Sequence, residues 1–530
     1  MPEPPSSVLP EPPAVSEQIP GTGIDATDAT VAALRAALAA GAVTARGLTA
    51  FYLSRIERLD PLLHSVISVS GDALAEAQAI DEALASGAAA RPLEGIPVLI
   101  KDNIAVRGMP ATAGSPALAG AERGDAWLVT RLREAGAVIL GKANLSEWAN
   151  FRSTHPTSGW STLGGQAANP HALDRNPSGS SSGSGVAAAA GLAAVTVGTE
   201  TDGSIVCPAS ACGIVGLKPT LGLVSRGGIV PISAAQDTAG PMTRSVADAA
   251  ALLSAMAGAD PADPVTAAAA GQPGDYTAFL DAGALAGARI GVWREGVKAA
   301  GPATVAVLDA ALARLAELGA DVVDPVDLPG AGEIEEPEFT ALLTEFKHDL
   351  NAYLAALPGS HPGTLAELIA FNRDHGASVL AVFGQEMFER AEATSGSLTD
   401  PAYLAARQEA AIWAREALDG PLATHRLDAV VTLTANPAGL TDYHLGDHDV
   451  FHTSRPAAVA GYPAISVPAG GAFGLPVGLS FMGPAWSEPR LIALAYAYEQ
   501  AVGARLTPTL RATSPPPTPP GQPGQPGAGR

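Results

Sequence analysis

Two serine-bearing stretches and one lysine are the residues of this sequence best suited to covalent chemistry. Residues 179–185 read GSSSGSG and residues 197–210 read VGTETDGSIVCPAS, both setting serine hydroxyls on glycine-bearing, turning backbone. A serine hydroxyl is a weak nucleophile until a neighbour takes its proton. Histidine, the common base, is missing nearby: none lies between Asp174 and Thr344. Lysine is the candidate left, because burial depresses its pKa whereas arginine stays charged. The chain has five lysines, and Lys101, Lys142 and Lys218 fall in the same stretch as the serines. Lys101 ends the apolar run IPVLI, of buried-strand type, where a rigid element can aim a side chain into a cleft. Bringing a lysine pKa from ~10.4 to near neutrality takes about 4 kcal/mol, which burial supplies. Lys142 and Lys218 read as solvated or ion-paired side chains, and Asp102 stands beside Lys101 as a possible counter-ion.

Other arrangements compete. Residues 179–183 fit G-x-S-x-G, which would put Ser181 on a nucleophile elbow of an α/β-hydrolase esterase, with His444, His448 or His452 completing a triad. That motif needs a strand before it, and ANPHALDRNPS is turn-forming instead. The same histidines recur every four residues, a ligand stripe suited to zinc if helical. Gly446 and the surrounding aspartates read as loop, which argues against a metal. Composition alone also allows GSSSGSG to be a flexible loop. Cys207 and Cys212 are too few for a disulfide framework or zinc ribbon and read as buried thiols. Trp486 and Tyr462 could line a cleft but read as core.

The elements that must position these residues alternate along the chain. Helical patterns cover 28–40, 44–59 (with Thr44 as N-cap), 72–86, 126–135 and 186–194, then 302–318, 339–357, 378–393 and 489–502. Strand patterns cover 65–70, 96–100, 137–140 and 195–197, then 289–293, 321–326, 429–433, 464–467 and 477–481. Apolar strands of this kind, alternating with helices, predict an α/β fold: one large domain with a mostly internal mixed sheet covered by helices. The domain is placed at 21–512, with proline-rich tails at 1–20 and 513–530 and an Ala/Pro/Gly-rich surface excursion at 260–287.

Four segments, GIPVLIKDN, PSGSSSGSG, GTETDGSIVCPA and GLKPTLG, resemble the amidase signature family in order and spacing, over about residues 28–502. VSRGGIVPIS and QDTAGPMTRSVADAA are most similar to its bacterial peptide amidase branch. The resemblance implies a Ser–cisSer–Lys triad with Ser204 as nucleophile, Ser180 as bridge behind a cis Gly179–Ser180 peptide, and Lys101 as base. It implies an oxyanion site from the backbone N–H groups of Thr201, Asp202, Gly203 and Ser204, a supporting Thr199, and no metal or cofactor. The activity implied is hydrolysis of the C-terminal amide of peptides through an acyl-enzyme, releasing ammonia. Small aliphatic or aryl amides, or a role as an amidotransferase glutaminase-type subunit, are the alternatives. Asp202 and Val206 replace the family's commoner glycine and arginine, and Ser178 and Ser182 replace glycines of its serine loop.

Composition narrows partners. The 530 residues are 47% hydrophobic and carry a net charge of −22. Such an acidic chain repels phosphate backbones and anionic lipid, so neither nucleic acid nor membrane is expected as a partner. The substrate expected is a small-molecule or short peptide amide. Residues 1–20 show no basic segment and no apolar core, so no signal peptide is read there and the default location is cytoplasmic. The longest uncharged run, 456–487, is broken by prolines and glycines throughout.

Overall fold

The computed structural model describes residues 13–515. The greater part of both expected tails, 1–12 and 516–530, lies outside that range. Residues 13–20 do not behave as a tail: Val15 and Ile19 are buried in the main core, and Arg55 donates from Nη2 to the Val15 carbonyl at 2.8 Å. Two well-placed apolar side chains between Pro13 and Pro20 are enough to pack it.

The centre is an eleven-stranded mixed sheet wrapped by helices, as the alternating pattern predicts. Across it the strands run Val66–Val69, Val138–Ala143, Pro97–Lys101, Val195–Glu200, Thr238–Thr243, Val215–Lys218, Ala464–Ala472, Leu475–Met482, Ala429–Leu433, Arg289–Val292 and Asp321–Val323. Pro97–Lys101 lies parallel between Val138–Ala143 and Val195–Glu200, with Val98 opposite Val195 and Ile100 opposite Val197. Every residue of these three strands is buried, which explains their near-continuous apolar or small-residue sequences. The register brings Lys101 and Thr199 together at the same end of neighbouring strands.

Expected helices formed with shifted ends. Ala45–Leu63 starts on Thr44, whose hydroxyl accepts the Gly47 N–H, but runs beyond the expected end through Pro61. The helix expected over 378–393 is instead two short ones, Gly376–Val379 and Glu386–Glu392. Buried Arg152 accounts for the break, donating to the Val379 and Phe383 carbonyls at 2.7 and 3.1 Å, so that the chain between them is claimed by a side chain. Within 260–287, expected to be a surface excursion, fully buried Tyr276 and Leu285 anchor the segment to the core.

GSSSGSG is packed, not flexible. Helix Ser182–Ala189 is buried along its whole length, and a Cβ at Gly183 would lie 2.4 Å from the carbonyl oxygens of both Asn144 and Ser65. Small residues here let the serine loop lie directly on the neighbouring backbone. Behind it, the Arg244 guanidinium donates to the carbonyls of Ala29, Ala188, Ala193 and Ala194 at 2.7–2.9 Å. Arg244→Met strands those four acceptors in the core, and a stability loss of about 3 kcal/mol is expected. A fall in the urea midpoint at unchanged m-value is the measurement.

Candidate active site

Lys101 is fully buried. Its Nζ reaches Ser180 Oγ at 2.8 Å, Thr199 Oγ1 at 2.9 Å and the Thr199 carbonyl at 3.2 Å. Burial pushes its pKa down to about 7, against the opposing charges of Asp237 and Glu200. Asp102, the counter-ion suggested by sequence adjacency, pairs instead with Lys142 at 3.1 Å. Successive residues of a strand point to opposite faces, so Lys101 and Asp102 diverge at its end. Lys142 and Lys218 are themselves fully buried, not solvated.

The Gly179–Ser180 peptide is cis. Ser180 is buried, and the Ser146 N–H donates to its carbonyl at 3.0 Å. The two serine loops are joined directly, since the Ser181 N–H donates to the Ser204 carbonyl at 3.1 Å. Ser204 is half-buried and lines a cavity of about 470 Å³, together with Gly179, Thr201, Asp202 and Gly203. The structure thus gathers Lys101, Ser180, Thr199 and Ser204, which are scattered over a hundred residues of sequence. Gly203 takes φ +78°, and a Cβ there would lie 2.9 Å from both Cys207 Sγ and Ser454 Oγ. The turn therefore requires glycine at that position.

Ser181 is not exposed at an elbow. It is buried, donating from Oγ to the Thr199 carbonyl at 3.0 Å and accepting the Thr199 N–H at 3.1 Å. It serves to hold the strand end that carries Thr199. The three histidines of the 442–452 segment do not converge. His448 Nε2 meets Asp442 at 3.0 Å and His452 Nδ1 meets Asp449 at 2.7 Å, along a loop and not a helix face. Among the described residues no group of three or more His, Cys, Asp or Glu side chains is arranged to hold a metal. Cys207 and Cys212 are buried free thiols. Trp486 and Tyr462 pack against the hydrophobic core clusters.

Several supporting groups escaped the sequence reading. Asn103 Nδ2 donates to Thr199 Oγ1 at 3.0 Å, from the same KDN segment as Lys101. Glu200 Oε2 accepts the N–H groups of Ile205 and Val206 at 2.7 and 3.0 Å, and Asp237 Oδ1 accepts from Thr201 Oγ1 at 2.6 Å. Glu200 carried a legible signal, a carboxylate just before the helix Val206–Cys212, whose first N–H groups lack intrahelical partners. Asp237, Ser454 and Arg455 carried none, because only the fold brings them near the turn.

A family model described as Amidase matches residues 47–492. The X-ray structure of native peptide amidase from Stenotrophomonas maltophilia is 51% identical with a TM-score of 0.86, covering 91% of this chain and 98% of that one. A probable amidase of Arabidopsis thaliana is 41% identical over 493 residues, 91% of each chain. A glutamyl-tRNA(Gln) amidotransferase subunit from Synechococcus sp. (strain WH7803) is 38% identical over 494 residues, 90% of this chain and 98% of the relative. With the family matched from residue 47 to residue 492 and relatives of this identity spanning nine-tenths of its length, the chain belongs to the amidase signature family and is a hydrolase of the amidase type.

Proposed function

We propose that this amidase hydrolyses the C-terminal amide of peptides and releases ammonia, with Ser204, Ser180 and Lys101 as its catalytic triad. The observation that carries the reading is the 2.8 Å contact between desolvated Lys101 Nζ and Ser180 Oγ, directly behind the cavity that Ser204 lines. A neutral amine has two N–H donors and one lone pair. With the Thr199 carbonyl and hydroxyl taking the donors, the lone pair is left for the Ser180 proton.

Ser204 Oγ then bonds to the amide carbon while its proton passes to Ser180 and the Ser180 proton passes to Lys101. Charge grows on the carbonyl oxygen, facing the N–H groups of the turn 201–204, and donors so placed are typically worth ~10²–10³ in rate. Collapse of the tetrahedral intermediate breaks the C–N bond, and the relay returns the proton to the leaving nitrogen, which departs as ammonia. Water, deprotonated by the same relay, cleaves the Ser204 ester, giving the carboxylic acid and free serine. The peptide substrate is favoured by the 51% identity to peptide amidase, above the 38% to the amidotransferase chain. Turnover of the purified chain without ATP or a partner would exclude the latter role.

Ammonia release from an amidated dipeptide tests the assignment. Ser204→Ala is expected to lose at least ~10⁴-fold in kcat and Lys101→Ala ~10²–10⁴-fold, with folds intact by circular dichroism. Near-normal turnover in either variant removes that residue from the mechanism. Protonated Lys101 cannot accept from Ser180, so kcat/KM is expected to fall about tenfold for each pH unit below about 7. A rate flat from pH 5 to 8 contradicts the lysine base. Because the relay uses only side chains, EDTA is expected to leave the rate unchanged; inactivation reversed by zinc contradicts it.

A further inference from the structure

We propose that Asp202 is a positioning residue, whose carboxylate ties the turn 201–204 to the 452–455 segment and thereby sets the direction of the backbone N–H groups that receive the reacting carbonyl oxygen. The proposal rests on the amide-hydrolase reading above and adds to it a side chain that acts through the backbone.

Three carboxylates hold this turn, and they hold it from different sides. Glu200 accepts from the N–H groups of Ile205 and Val206, so it fixes the exit of the turn to its own strand end. Asp237, one residue before strand Thr238–Thr243, accepts from Thr201 and fixes the entry. Asp202, on the cavity lining, reaches the 452–455 segment. Its Oδ1 accepts from Ser454 Oγ at 2.6 Å, while Oδ2 faces Arg455 Nε at 3.5 Å and His452 Nε2 at 3.9 Å. Ser454 sits directly on the turn, its Oγ only 2.9 Å from where a Cβ of Gly203 would be. The Asp202 charge is therefore engaged by one hydroxyl and two cationic side chains, and it braces the turn instead of waiting for a charged ligand. Misplacement of a catalytic group by ~1 Å can cost ~10²-fold in rate, so a tether of this kind matters to turnover more than to binding.

The charges around His452 give the tether a signature. Burial works against its proton, but the Asp449 hydrogen bond at 2.7 Å and the charges of Asp202 and Asp449 hold it up to about 9, Arg455 opposing. Arg455 also meets Glu338 at 3.1 Å and Glu335 at 3.0 Å. Burial and the Asp202 charge push the Glu338 pKa up, with Arg455 opposing. Asp447 and His448, in the same loop, are engaged by Ser158 and Asp442. Raising the pH through about 9 removes one of the two cations facing Asp202, and activity is lost in that direction.

The test is steady-state kinetics on an amidated dipeptide, pH 6 to 10, with wild type, Asp202→Asn, Ser454→Ala and His452→Gln. Asp202→Asn is expected to lower kcat about tenfold or more while KM stays within about twofold. Ser454→Ala, which removes only the hydrogen bond, should move kcat the same way by less, and it decides the matter if Asp202→Asn does not fold. His452→Gln should lose the alkaline limb near pH 9 and keep the acid limb near 7. Unchanged kcat in the Asp202 and Ser454 variants, or a wild-type alkaline limb in His452→Gln, overturns the tether while leaving the hydrolase reading intact. No ammonia from any amide with wild type overturns that reading, and the tether with it.

Discussion

The arrangement depends on one costly feature, an amine taken wholly out of water without an ion pair. Lys101 lies at the end of a strand buried on both faces, and no carboxylate among the described residues forms an ion pair with it. Desolvation is then free to strip its proton. Lys142, on the neighbouring strand, is the informative contrast. It is equally buried, yet Asp102 stands 3.1 Å away and works to keep its charge. Burial lowers the pKa of both, but only Lys142 has a carboxylate within hydrogen-bond reach to oppose it. Asp237 and Glu200 act on Lys101 through space; both Asp237 oxygens and Glu200 Oε2 accept from neighbouring N–H and O–H donors.

Close packing supplies the rest of the geometry. A nucleophile and a relay must stay within hydrogen-bond reach of one another, and long side chains in between would hold the loops apart. Glycine and serine solve this by letting backbone lie on backbone. The Ser181 N–H bonds to the Ser204 carbonyl, the Ser181 hydroxyl bridges both polar groups of Thr199, and Gly183 abuts two carbonyl oxygens. A composition that in isolation means flexibility here means contact without side-chain volume. Arg244, spanning four carbonyls behind the loop, carries the burden that an apolar core would carry elsewhere.

These facts explain what was legible in the sequence. Apolar runs such as IPVLI and AVVTL declared buried strands because nothing else tolerates them. Thr44 declared its helix start through a side chain that caps it. Lys101 and Ser204 stood out as candidates by residue type, scarcity and spacing, whereas Ser180 was marked only by the family resemblance. Helix Pro401–Thr424 went unassigned despite Asp400 and Pro401 at its start, because its alanine-rich surface shows little hydrophobic periodicity. Strands Val215–Lys218 and Thr238–Thr243 went unassigned because TAGPMT carries glycine and proline, which read as turn. Their burial between other strands overrides that local preference. Asp237, Ser454 and Arg455 belong to the site only through tertiary contact, and no local pattern marks them.

The cavity itself divides along the same line. One wall is built by residues 149–158 and 176–204, from the buried half of the sheet and its serine loops. The opposite wall comes from residues 435–452, a loop whose histidines pair with nearby aspartates and whose Leu445 is 71% exposed. The first wall cannot change without disturbing strands that hold Lys101 dry. The second is tied to the first: the Asp447 carboxylate accepts from the Ser158 N–H and hydroxyl and from Asn176 Nδ2, and His452 faces Asp202. The buried lysine and the serine loops lie in the part of the chain whose motifs are short, packed and legible. The 435–452 loop lines the cavity with nine residues, and none of its hydrogen bonds reaches Lys101 or Ser180.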